Sequence, residues 1–205
     1  MKKIIISIIV VLSTMISIAQ TQVNTDSSGH LTFKGVPIDG TLDEYVSKMK
    51  KSGFTHKYSE DGSVITEDGT AILEGDFASY KNCIVGVSTL KQKNLVSKIA
   101  VVFPDRDTWS SLSSNYFNLK EMLTEKYGKS SECVEKFQSY TPSDDGSKMY
   151  KVQLDACKYY TTYETEKGTI QLSIKHDGVT RCFVRLVYID KINSETIKKE
   201  ALNDL

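Results

Sequence analysis

The side chains able to do chemistry in this sequence are scattered. The three histidines, His30, His56 and His176, stand at neither helical nor turn spacing from one another. No H-E-x-x-H or C-x-x-C occurs, so no zinc-type site is expected. His176 continues the apolar phase of a strand and reads as a satisfied core or strand-end histidine. Asp105 and Asp107, with Asp39 near them if the two halves repeat, have calcium-ligand chemistry. Turn and helix-start chemistry explains them without an ion, and the alternating ligand loop with its distal Glu is missing. The sequence therefore predicts no metal and no cofactor.

Nucleophilic and acid–base chemistry is equally thin. There is no G-x-S-x-G elbow and no glycine-rich loop between a strand and a helix. Glu74 and Asp76 fall two apart on one strand and share a face, which suits a glycosidase-type pair. Two solvated carboxylates on an outer face explain them as well. No catalytic residue is assigned. Tyrosines are the more suggestive group: Tyr159, Tyr160 and Tyr163 crowd one segment, with Tyr150 upstream. Tyr159, Thr161 and Tyr163 share one face of a strand, and Tyr160, Thr162 and Glu164 the other. If one face packs on helices, the other presents tyrosine as a binding anchor. Cross-strand aromatic pairing that only stabilises the sheet is the competing explanation.

The chain start points to export. Lys2 and Lys3 precede an apolar run from Ile4 to Ile18, and Ser17-Ile18-Ala19 offers small residues at a cleavage site. Residues 1–19 thus read as a signal peptide. The alternative is an uncleaved anchor, but a run of about 15 residues falls short of the roughly 20 that span a bilayer. The first cysteine is Cys83, so no lipoprotein cleavage site is seen. Location outside the cytoplasm, in the periplasm or the extracellular space, is expected, with no stable membrane insertion after cleavage. Lys and Arg number 26, as do Asp and Glu. Signs are interspersed without a basic stripe, so nucleic acid is not an expected partner.

Residues 20–29 are small and polar and read as a linker. A single α+β domain is expected over 30–192, with 193–205 a helix or tail. Leu31 to Val36 reads as a strand. Thr41 and Glu44 stand at capping-box spacing, and Leu42, Tyr45, Val46 and Met49 form one helical stripe. Strands follow at Thr55 to Ser59, Thr70 to Ser79, Cys83 to Leu90 and Leu95 to Phe103, joined by short turns and therefore antiparallel. Trp109, Leu112, Tyr116, Leu119, Leu123 and Tyr127 mark a long helix that Gly128 stops. Residues 130–137 fit a short helix or a strand, and Thr141 to Gly146 a loop. Met149 to Thr165 reads as one strand or two joined by a bend. Strands around Ile170 to His176 and Arg181 to Ile189 complete the pattern. Each half, about 30–103 and 104–192, runs helix then strands. An antiparallel sheet with helices on one face, built from two such repeats, is the expected architecture.

The four cysteines, Cys83, Cys133, Cys157 and Cys182, read as two disulfides in an exported chain, or as buried thiols. Hairpin pairing about the Asp144-Asp145 turn puts Cys133 almost opposite Cys157, which leaves Cys83 for Cys182.

The stretches Gly75 to Cys83, Trp109 to Leu112 and Lys120 to Gly128 resemble small exported proteins of gut anaerobic bacteria, over most of the mature chain. That resemblance implies location and fold, and no activity. The helix-then-sheet repeat is similar in architecture to the tandem fold of the beta-lactamase inhibitor protein, and fold alone does not give function. Two functions fit these observations. One is a non-enzymatic binding or inhibitor-like module of the cell envelope or extracellular space, its partner another protein or a glycan. The other is a hydrolase assembled from scattered carboxylates.

Overall fold

The computed structural model describes residues 28–58, 66–67, 69–90 and 94–203. The expected signal segment and the linker up to residue 27 lie outside them. The elements in chain order are β1 (Thr32–Phe33), β2 (Val36–Pro37), α1 (Leu42–Lys51), β3 (Thr55–His56), β4 (Thr66–Glu67), β5 (Thr70–Phe77), β6 (Tyr80–Leu90), β7 (Leu95–Val102), α2 (Trp109–Tyr127), β8 (Glu132–Phe137), α3 (Asp145–Gln153), β9 (Cys157–Thr165), β10 (Gly168–Asp177), β11 (Arg181–Asp190) and α4 (Lys191–Asn203).

This is an α+β fold on one large antiparallel sheet. Its strands run β3-β5-β6-β7-β11-β10-β9-β8, with β4 beside β5. Residues up to Val102 build one side and residues from Glu132 the other, and the two meet where β7 pairs with β11. β1 and β2 form a separate ribbon closed by Lys34 and Gly35, both at positive φ. That ribbon replaces the single strand expected over Leu31 to Val36.

α1 begins as its sequence dictates. The Glu44 N–H donates to Thr41 Oγ1, and the Thr41 N–H donates to Glu44 Oε2 at 3.0 Å. Lys48, Lys50 and Lys51 lie in its last turn, where cations complement the dipole. Tyr45, Val46 and Met49 are its buried stripe. α2 buries Trp109, Leu112, Tyr116, Leu119 and Leu123. Both helices pack on one side of the sheet, against Leu73, Val85, Ile99, Val101, Leu172, Val184 and Leu186.

The expected strand from Met149 begins instead as α3. Asp144 caps it by accepting the Ser147 N–H at 2.8 Å, and Met149 and Val152 bury one face. The chain turns extended only at Cys157. Residues 130–137, open between two readings, are strand β8.

The inserted helix also overturns the disulfides. All four cysteines are free thiols. α3 shifts the β8–β9 register, so that Cys133 faces Thr161 and Cys157 faces Phe137. Four steps along a strand put those two cysteines about 13 Å apart. Cys83 on β6 and Cys182 on β11 are separated by β7, a spacing of about 9–10 Å. Neither gap is bridged without moving backbone.

Candidate functional site

Strand alternation gives the sheet a second face that carries neither α1 nor α2. Cross-strand pairing lines up one row of side chains on it: Glu74, Ile84, Val102, Arg185, Ser173, Tyr160 and Val134, in that order from β5 to β8. A parallel row runs Ile72, Gly86, Ala100, Val187, Gln171, Thr162 and Glu132. Ile72, Ile84, Val102 and Val187 are only half-buried, unlike the aliphatics under the helices.

Two grooves divide this face. One, of about 650 Å³, is apolar at its floor, where Ile72, Ile84, Val102 and Phe183 lie. Its rim holds Lys57, Asp105 and Arg181. The other, of about 580 Å³, is polar and mainly basic, with Lys136, Lys158, Lys175, Gln171 and Tyr160 in its wall and one carboxylate, Asp155. Arg185 stands between them in the row, with Val102 of the apolar groove on one side and Ser173 of the basic groove on the other.

Arg185 and Ser173 each carry an unpartnered buried polar atom, as do Tyr45, His56 and Asn115 elsewhere. Ser173 is 3 % exposed, and its Oγ has no hydrogen-bond partner among the described residues. The buried Nε of Arg185 has none either. A buried polar group left unsatisfied costs about 1–3 kcal/mol, so two side by side at the centre of a face are worth explaining. Lys136 lies directly opposite Lys158, an arrangement of like charges that works against the sheet. By contrast the acidic groups around the face are engaged. Lys57 pairs with Glu74 at 3.0 Å, Arg181 with Asp105 at 2.9 Å, and His176 Nε2 with Asp155 Oδ1 at 3.0 Å. The hydrogen bonds to Gly178 O and Asp155 hold the His176 imidazole above its usual pKa.

The tyrosines divide between the two faces. Tyr163 is buried under α2, its hydroxyl against Thr124 Oγ1 and Lys120 O. Tyr159 is half-buried on the same side and packs against Trp109, Tyr116 and Phe137. Tyr160 alone reaches the uncovered face, where its hydroxyl donates to Glu132 Oε1 at 2.6 Å and is held above its ordinary pKa by that bond. Arg185 and Ser173 escaped sequence reasoning. The alternation of β11 places Arg185 on the phase opposite Val184 and Leu186. What no pattern reveals is that β7 flanks it on the side away from β10.

Two other polar clusters lie on the molecule. His30 sits between Asp190, at 3.1 Å, and Asp39, at 3.6 Å. Asp190 also accepts the Leu31 and Asn193 N–H groups, so it fastens the segment before β1 to the first turn of α4. Under α2, Lys120 pairs with Glu135 and lies 3.3 Å from Cys133 Sγ, and Tyr116 Oη is 2.6 Å from Thr161 Oγ1. Both clusters close on themselves. Among the described residues no group of three or more His, Cys, Asp or Glu is placed to hold a metal.

No family model, no curated protein and no solved structure matches this chain.

Proposed function

We propose that this protein is a non-enzymatic binding module, exported from the cell, and that the uncovered sheet face is its binding surface. The observation that carries the reading is an apolar groove and a basic groove on that face, with the pair Arg185 and Ser173 between them. A partner that engages both grooves brings its acceptors over the half-buried Arg185 side chain. The half-buried aliphatics on one side of the pair and the cations on the other give the apolar centre and polar rim of a recognition surface. Of the three tyrosines singled out from the sequence, Tyr160 is the one positioned to take part.

The engagement of the carboxylates favours this reading over hydrolysis. Glu74 and Asp76, the pair that suited acid–base work, are each tied to a lysine, Lys57 and Lys81. Asp144, Asp145 and Asp190 accept from backbone amides at helix starts. A general acid and base need freedom to exchange protons with a substrate.

The test uses mature protein beginning at Gln20, immobilised and exposed to envelope and host extracts, beside an Arg185→Ala variant whose fold is checked by circular dichroism. Loss of specific retention in the variant supports the reading. Retention that ignores Arg185, or turnover of chromogenic glycosides or esters, overturns it.

A further inference from the structure

We infer that the uncovered face takes an extended acidic segment of another protein, with an apolar side chain of that segment seated in the groove of Ile72, Ile84, Val102 and Phe183. This rests on the binding-module reading and names the partner's chemistry.

Charge complementarity carries it. Lys136, Lys158 and Lys175 line one groove and have no carboxylate partner among the described residues. Lys136 and Lys158 are held opposite each other by the β8–β9 register, and Lys175 faces Phe183 across β10–β11. The acidic groups nearby are already taken: Asp155 by His176, Glu132 by Tyr160, Asp105 and Asp177 by Arg181. An incoming carboxylate therefore meets three free ammonium groups, and beyond them the half-buried Arg185 side chain. The row then continues without a break into Val102 and Ile84. A chain laid across the strands meets cations first, then the guanidinium, then an apolar hollow.

An anionic polysaccharide fits less well. Sugar rings stack on open aromatic faces, and the basic groove offers only Tyr160 from the uncovered side, half-buried and bonded to Glu132. The apolar hollow has no counterpart in a polyuronate or a sulfated glycan, whereas a peptide supplies both the anchor and the charge.

The experiment uses the mature chain and a set of fluorescent twelve-residue peptides. Each carries one Leu or Phe anchor, flanked on one side by Glu and Asp, by Ser and Gln, or by Lys. Heparin and polygalacturonate are run in parallel. Acidic anchored peptides are expected to bind best. Their affinity should fall with added salt, and by about tenfold or more when the exposed Lys136, Lys158 and Lys175 are all changed to Glu. Replacing the anchor with Gly should weaken binding again, and an Ile84→Asp variant should reproduce that loss. Neutral or basic peptides binding as well as acidic ones, in an Arg185-dependent way, would sink the acidic partner and leave the binding module standing. Binding of heparin or polygalacturonate with no acidic peptide bound would replace the protein partner with a glycan. If no peptide binds while Arg185-dependent retention from extracts persists, the inference fails alone; if that retention is absent too, both fail.

Discussion

Asp145, the first residue of α3, accepts the backbone N–H of Trp109, the first residue of α2, at 2.8 Å. The same carboxylate accepts the Ser110 N–H at 2.9 Å. One helix thus caps the start of another and satisfies amides with no partner inside the helix. Hydrogen bonding from Ser110 holds the Asp145 carboxyl below its usual pKa. A depressed carboxyl pKa means stability that is present above the unfolded value, about 3.9, and lost as pH falls through the folded one. Asp145→Asn should therefore lower the melting temperature at pH 7. The gap between variant and wild type should close as pH drops below about 4. A gap that stays constant down to pH 2, in melts followed by circular dichroism, would show that the charge contributes nothing.

Leu112 lies fully buried where α2 meets the sheet. Leu112→Ala should cost about 3–5 kcal/mol, the scale of a leucine cavity in a packed core. Met122, on the outer face of α2, is 46 % exposed, and Met122→Ala should stay within about 0.5 kcal/mol. Urea titrations of the two variants decide the helix orientation. Equal losses would mean that the stripe is wrongly assigned.

The thiols should react unequally. Cys133 is exposed on β8, whereas Cys83 and Cys182 are buried. Burial pushes the Cys157 thiol up to about 12 and the Cys83 thiol up to about 11. In native protein one cysteine, Cys133, should modify quickly with a thiol reagent, and the other three only on unfolding. Peptide mapping of unreduced protein should return four free cysteines. A Cys133–Cys157 cross-link would contradict the β8–β9 register directly.

What was legible in the sequence was local. Thr41 with Glu44, and the stripe from Trp109 to Leu123, announce their helices because capping and 3.6-residue periodicity are carried by neighbours in the chain. The hairpin between β5 and β6 shows the limit. A turn was expected at Tyr80 to Asn82, yet the chain reverses at Ala78 and Ser79, both at positive φ, where residue types give almost no warning. α3 was hidden because Met149 and Val152 are its only buried residues, too thin a stripe to show a helical period. One missed helix then moved the register of β8 against β9, and with it the expected cysteine pairing. The candidate site was the least legible part. The β10–β11 hairpin sets Ser173 opposite Arg185, but only the meeting of β7 with β11 at the centre of the sheet brings Val102 beside them.

Gly168 opens β10 at φ +150, and a Cβ there would come within 2.2 Å of the Ile189 carbonyl oxygen. That oxygen is backbone on the neighbouring strand, so no side-chain rotation relieves the contact. The Lys191 N–H would be 3.2 Å away on the same side, and it donates to Lys167 O. Gly168→Ala must therefore push apart the turn before β10 and the junction of β11 with α4. At that junction Asp190 holds His30, Leu31 and Asn193. Gly178, in the next hairpin, has φ +60 and open space around its Cβ position. Gly178→Ala should cost only the left-handed backbone penalty of about 1–2 kcal/mol. For Gly168→Ala a loss of about 3 kcal/mol or more is expected, since strain at the residue adds to displacement of a paired strand. Amide exchange should also quicken at Leu31 and Asn193 in the Gly168 variant and stay unchanged in the Gly178 variant. Equal denaturation midpoints for the two would mean that the β10–β11 junction gives way freely, and that the contact between Gly168 and Ile189 constrains nothing.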